Sequence, residues 1–151
     1  MHRLIRRDLE TVRALAADIR TGLPGDDVAA AIQSLEVAGP LWRLKINCLQ
    51  YCRFVHAHHH AESALLFPRL RATNPALGPV VDKLEADHAQ VSDLLDEVTT
   101  AAAALAGQED PARRTQLIDA LSGLSDVLLA HLDYEEEHIA ATLRTWAGWG
   151  W

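Results

Sequence analysis

Histidine and glutamate recur in this chain at spacings suited to holding a metal ion. Four of its eight histidines fall within His56-Ala57-His58-His59-His60-Ala61-Glu62. His58 and Glu62 are four residues apart, so on a helix they stack on one face, about one turn from each other. His131 and Glu135 repeat that spacing, while His2 and His88 stand singly in other segments. An imidazole beside a carboxylate on an inward face is costly to bury unless something compensates it. A metal ion is the most economical compensation.

The segments carrying these residues read as amphipathic helices. Over His2 to Arg20, the positions His2, Ile5, Leu9, Val12, Ala16 and Ile19 form one inward stripe. Thr21-Gly22-Leu23-Pro24-Gly25 breaks it, and Asp26 or Asp27 caps a short extra helix reaching about Val37. Pro40 can open a second long helix, with the stripe Leu44, Cys48, Tyr51, Val55, His58, Glu62, Leu65 and Arg69. Pro68 should kink or end it. The third, from about Val80 to Ala106, has the stripe Val81, Leu84, His88, Val91, Leu95, Val98, Ala102 and Leu105. Asp110-Pro111 is a cap followed by a first-turn proline, which opens the fourth. Its stripe is Leu117, Leu121, Leu124, Leu128, His131, Glu135, His138, Thr142 and Trp146. Four long helices with short connections predict an all-α, antiparallel up-down four-helix bundle, with the short helix in its first connection. Residues 1–151 are expected to form one domain.

Each stripe is apolar except at one place, and that place carries His, alone or with Glu. In an up-down bundle these places lie at nearly one level, agreeing within roughly 10 Å at 1.5 Å per residue. A lone buried histidine is more often a hydrogen-bonded core residue than a ligand, and an i,i+4 His/Glu pair alone can be a solvated face. Two such pairs in phase with two cores, with two more histidines at their level, point to a metal site. The donors are N and O only, which suits Fe, Mn or Zn over Fe–S or Cu(I). They are too many for one tetrahedral ion and fit two ions bridged by Glu62 and Glu135. Iron is the expected metal, because such sites in bundles commonly run oxygen chemistry.

The totals exclude several alternatives. Fourteen basic against 21 acidic residues give −7, which argues against a nucleic-acid partner. No apolar run approaches the roughly 20 residues of a membrane span. Cys48 and Cys52 stand four apart, a poor disulfide geometry, and read as reduced, buried thiols. A cytoplasmic location is the expectation that follows.

The run Phe54-Val55-His56-Ala57-His58-His59-His60-Ala61-Glu62, with Leu66-Phe67-Pro68 beyond it, resembles the hemerythrin-like (HHE cation-binding) family. So do His2-Arg3-Leu4-Ile5-Arg6-Arg7-Asp8-Leu9, Leu84-Glu85-Ala86-Asp87-His88 and His131-Leu132-Asp133-Tyr134-Glu135-Glu136. The resemblance spans nearly the whole chain. It implies an oxo- or hydroxo-bridged non-haem di-iron centre, with His2, His58, His88 and His131 as terminal ligands and Glu62 and Glu135 as bridges. Oxygen-carrying members have a further histidine where this chain has Leu84. They usually place the last carboxylate five residues after its histidine, which here is Glu136. Some relatives draw a ligand from the position of His59, so His59 is expected to fill the gap by reaching toward a neighbouring helix. His56, His60 and His138 are expected to be non-ligands, with His138 the first exception. Tyr51, two turns deeper on the same stripe as His58, is a candidate for contacting a bound oxidant or iron, or simply a core tyrosine.

Three functions compete. The first is an enzyme acting on hydrogen peroxide or nitric oxide, favoured by the changed ligand set, because a different ligand field alters redox tuning. The second is a non-catalytic carrier of oxygen, or a sensor of oxygen or iron. The third is ferritin-like iron oxidation or storage, for which Glu85-x-x-His88 and Glu135-x-x-His138 match in spacing but lie on consecutive helices. Small oxidants (O2, H2O2 or NO) are the expected partners, with the protein a monomer or weak homodimer. Because the first helix starts at the site, its side of the bundle is expected to be open. Trp146, Trp149 and Trp151 are expected to fold there and control access.

Overall fold

The apolar stripes become helices close to where the sequence puts them. The structure, a computed structural model, describes residues 2–20, 40–104 and 110–146, and among these there is no strand. Helix α1 is His2–Arg20 and α2 is Pro40–Ala61; a π-helical turn, Glu62–Leu66, leads into α3, Phe67–Thr73. After a short 3₁₀ turn, Pro75–Leu77, come α4, Gly78–Ala104, and α5, Pro111–Leu143. The expected helix from Asp26 or Asp27 to Val37, the Cys48 side chain, Leu105, Trp149 and Trp151 lie outside the described residues.

Local chemistry sets the boundaries. Asp110 caps α5 by accepting a hydrogen bond from the Ala112 amide at 2.9 Å, with Pro111 in the first turn, where no amide is needed. Asn74 leaves helical geometry at φ −142° and closes α3 through its own amide to the Leu70 carbonyl at 2.8 Å.

The π turn changes one expectation. A regular helix would carry the inward stripe from Glu62 to Leu65 and Arg69. Instead Leu65 is 69% exposed and Arg69 is exposed, while Leu66, Phe67 and Leu70 are buried. The Phe67 amide bonds back to the Glu62 carbonyl, five residues away, so one extra residue enters the turn and the inward face moves on by one. Pro68 explains why the turn widens here. In a regular helix its ring would press on the carbonyl four residues back, and it has no amide to donate.

The helices form a bundle with two apolar cores. The larger joins Ile5 and Leu9 of α1, Tyr51 and Val55 of α2, Val91 to Ala102 of α4, and Leu117 to Leu132 of α5. The smaller joins Leu66, Phe67 and Leu70 to Val81 and Leu84 of α4 and to Ile139 and Leu143 of α5. No described residue of α1 enters the smaller core. The layer of His and Glu residues falls between the two.

Candidate metal centre

Every long helix delivers polar side chains to that layer. His2 opens α1 and turns inward on the same face as Ile5 and Leu9. On α2, His58 and Glu62 share the inward stripe. His59, about 100° round the helix, faces α4. There its ring stacks on His88, with centroids 4.0 Å apart and planes 10° from parallel. His131 and Glu135 of α5 complete the layer at 1% and 0% exposure.

These side chains form two groups of donors. Donor atoms of His2, His58 and Glu62 lie within 4.8 Å of one another, as do those of His59, Glu62, His88 and His131. Glu62 belongs to both. Its Oε1 is 3.2 Å from His58 Nε2 and 3.7 Å from His2 Nε2, and its Oε2 is 3.4 Å from His88 Nε2. Glu135 also spans the groups, with Oε2 3.3 Å from His2 Nε2 and 3.8 Å from His131 Nε2.

The donor chemistry fits bound cations. Nε2 of His58, His59, His88 and His131, Oε2 of Glu62 and both carboxylate oxygens of Glu135 are buried without a hydrogen-bond partner. Each such group costs about 1–3 kcal/mol if nothing satisfies it. Bonds of about 2.1 Å to a shared ion put neighbouring ligand atoms about 3 Å apart and opposite ones about 4 Å apart. The observed separations already lie in that range.

Electrostatics favour the same arrangement. Burial, opposed by Glu62, pushes the His58 imidazole down to about 4. His131 falls to about 4 by burial and by the neighbouring His88, and His59 is pushed lower still by the same causes. These rings are neutral at pH 7, with lone pairs free for a cation. His2 behaves oppositely. Burial works against its charge, but Glu135 and Glu62 outweigh it and raise the ring to about 9. Burial pushes Glu62 up, but the neighbouring His2 and His88 rings outweigh it, so its carboxyl stays well below the usual range. Burial raises that of Glu135.

A ring of outer contacts, not evident from the sequence, fixes some of these groups. His88 Nδ1 lies 2.9 Å from the Ser63 hydroxyl, and His2 Nδ1 lies 3.0 Å from Glu136 Oε1. Asp87 Oδ2 is 3.7 Å from His131 Nδ1. The one available signal was phase. Ser63 follows His59 by four residues, so both face α4.

The remaining candidates sit elsewhere. Glu136 is exposed and contacts His2 from outside, whereas Glu135 faces inward. Leu84 is fully buried in the smaller core. His56 approaches Asp96 at 3.7 Å, and His60 is exposed. His138 Nδ1 donates to the Tyr134 carbonyl at 2.8 Å and belongs to neither donor group. Glu85 is exposed and pairs with Arg71 at 3.0 Å, so the ferritin-type spacing Glu85-x-x-His88 does not converge. Tyr51 is 5% exposed, its hydroxyl without a hydrogen-bond partner, and burial raises its pKa. It lies in the larger core and in neither donor group. Trp146 packs against the smaller core, with the Arg69 guanidinium 4.3 Å above its ring. No helix among the described residues is long and apolar enough to cross a membrane.

Comparison with known families gives one result. The profile of the hemerythrin HHE cation binding domain matches residues 1–143. No curated protein and no solved structure matches the chain.

Proposed function

Because the chain belongs to the family of hemerythrin HHE cation binding domains, we propose that it is a non-haem di-iron protein reacting with small oxidants. Its reactions are disproportionation or reduction of hydrogen peroxide, or removal of nitric oxide, with oxygen as a further ligand. The observation that carries this reading is the pair of donor groups sharing Glu62. His2 and His58 would hold one ion and His59, His88 and His131 the other, with Glu62 and Glu135 within reach of both groups. Iron bound there supplies single-electron changes and a Lewis-acidic position for a small ligand.

The chain's own residues prepare the site. Burial keeps His58, His59 and His131 neutral with their Nε2 atoms turned inward. The two apolar cores keep bulk water from the layer on both sides. His2 holds a proton beside Glu135 in the metal-free site, and its Nδ1 meets Glu136, an exposed carboxylate.

The reading includes an antiparallel up-down arrangement within one domain. Two ion pairs support it: Arg6 meets Asp133 at 2.8 Å and Arg13 meets Asp126 at 2.7 Å, so partner numbers on α5 fall as those on α1 rise. It also includes a cytoplasmic monomer or weak homodimer without a nucleic-acid partner, supported by the net charge of −7 and by Cys52, a buried free thiol.

Anaerobic loading with Fe(II) tests the proposal. Two irons per chain, a bridged-iron absorption band after oxidation, and turnover of peroxide or nitric oxide are expected. Reversible oxygen uptake without turnover would make the protein a carrier. One tightly held zinc and no redox change would overturn the di-iron reading.

A further inference from the structure

One stripe of α2 and the π turn grips a single imidazole. His59, Ser63 and Phe67 follow one another at steps of four, and all three reach His88 on α4. The His59 ring stacks on one side at 4.0 Å, and the Phe67 ring stacks at 5.0 Å, 27° from parallel. The Ser63 hydroxyl meets Nδ1 at 2.9 Å. The other ring nitrogen, Nε2, is buried without a hydrogen-bond partner and faces Glu62 Oε2 at 3.4 Å.

The two nitrogens of a neutral imidazole have opposite roles, and the hydrogen bond made by one decides what the other can do. We propose that Ser63 is a positioning residue that accepts the His88 Nδ1–H and so presents the Nε2 lone pair to an ion held by His59, Glu62, His88 and His131. A hydroxyl suits this place, because Oγ has lone pairs to accept and its own proton can turn elsewhere. The flanking rings fix the plane of His88, but neither can set its tautomer. That selection falls to Ser63. Ser63 bonds to His88, which belongs to the second donor group alone, so the ion on that side is the one that depends on it. The inference rests on the di-iron reading, and its test separates the two.

The experiment titrates Fe(II) anaerobically into the full chain against a competing chelator and reads two successive affinities, not turnover. Ser63→Val and Ser63→Thr have nearly the same shape, so their difference isolates the hydroxyl. Ser63→Val should bind one of the two ions about 10–100-fold more weakly, the range typical of an outer partner of a ligating histidine. Ser63→Thr should restore it, and the other ion should be held equally by all three proteins. Ser63→Ala provides the same comparison without a β-branched side chain in the helix. Equal affinities for both ions in wild type, Ser63→Val and Ser63→Ala would overturn the role of Ser63 and leave the di-iron reading standing. Equal weakening of both ions, or no rescue by threonine, would show a general structural effect and overturn it too. Wild type taking up no iron would sink both.

Discussion

His59 and His88 lie ring on ring, 4.0 Å apart and 10° from parallel, on two neighbouring helices. Two protonated imidazoles would repel at that distance, and burial together with His88 keeps His59 neutral. Their Nε2 atoms are both buried and both lack a hydrogen-bond partner. The stack therefore brings two buried ring nitrogens to one place, and Glu62 links that place to the His2 and His58 group.

That sharing makes the ligand substitutions unequal. Glu62→Ala should lose both ions, because both groups use its carboxylate. His58→Ala should lose the ion on its side, and His131→Ala the other. His56→Ala, at a half-buried ring 3.7 Å from Asp96, should keep both. Metal per chain after gel filtration reads the result. Equal loss in His56→Ala and Glu62→Ala would refute the register of α2.

Much of this was legible in the sequence, and the reasons show where legibility ends. Leu, Val and Ala at steps of three and four locate the helices, and His58/Glu62 and His131/Glu135 sit in phase with those stripes. Within the run Glu135-Glu136-Glu137 the apolar stripe selects Glu135, since each step along the helix turns the side chain by about 100°. Leu65 misled because the π turn depends on the ring of Pro68 and on the burial of Leu66 and Phe67, which regular periodicity does not register. Ser63 gave no sign by residue type. Serine usually bonds locally in helices, whereas its partner here is 25 residues away on another helix.

Unsatisfied donors predict a conflict between binding and stability. Replacing a buried polar group that lacks a partner with an apolar one of similar shape is often neutral or stabilising. His59→Leu should therefore stabilise the metal-free protein, by about 1 kcal/mol or more, while weakening metal uptake. For a chain of this size that is a rise in Tm of about 2–4 °C per kcal/mol. A lower metal-free Tm would mean that the His59 stack stabilises the fold by itself.

Acid should destabilise the metal-free protein. The unfolded chain protonates His58 and His131 near pH 6.5, but the folded chain holds off until about 4. Between those values the unfolded state binds more protons, so stability falls as pH falls through the window. His2 has the opposite sign. Its folded value is about 9, so its contribution is complete below pH 6.5 and is lost as pH rises through 9. Thermal melts of the metal-free protein across pH 4–9 measure both limbs. Because His2 must lose its proton to ligate, Fe(II) uptake at pH 7 should release about one proton from that ring, detectable in a weakly buffered solution.

Tyr51→Phe tests the deep tyrosine. Its hydroxyl is buried, lacks a hydrogen-bond partner and lies in neither donor group. The substitution should leave two ions bound and the Tm unchanged or slightly raised, because it removes an unsatisfied polar atom. Loss of an ion would make the phenol a ligand. A lower oxidant rate at full metal content would give it a part in the chemistry.

Trp146 separates a structural role from control of access. It packs on the smaller core, beside α3 and α5 and beyond the layer of His and Glu side chains, with Arg69 stacked on its ring. A side chain placed there stabilises that end of the bundle. Trp146→Ala should lower the Tm by several degrees, by analogy with loss of a large apolar contact, and leave Fe(II) content unchanged. If it governs access, oxidant rates in the loaded protein would rise on truncation while the Tm stayed put. Stopped-flow mixing with peroxide, run beside a thermal melt of the same sample, distinguishes the two.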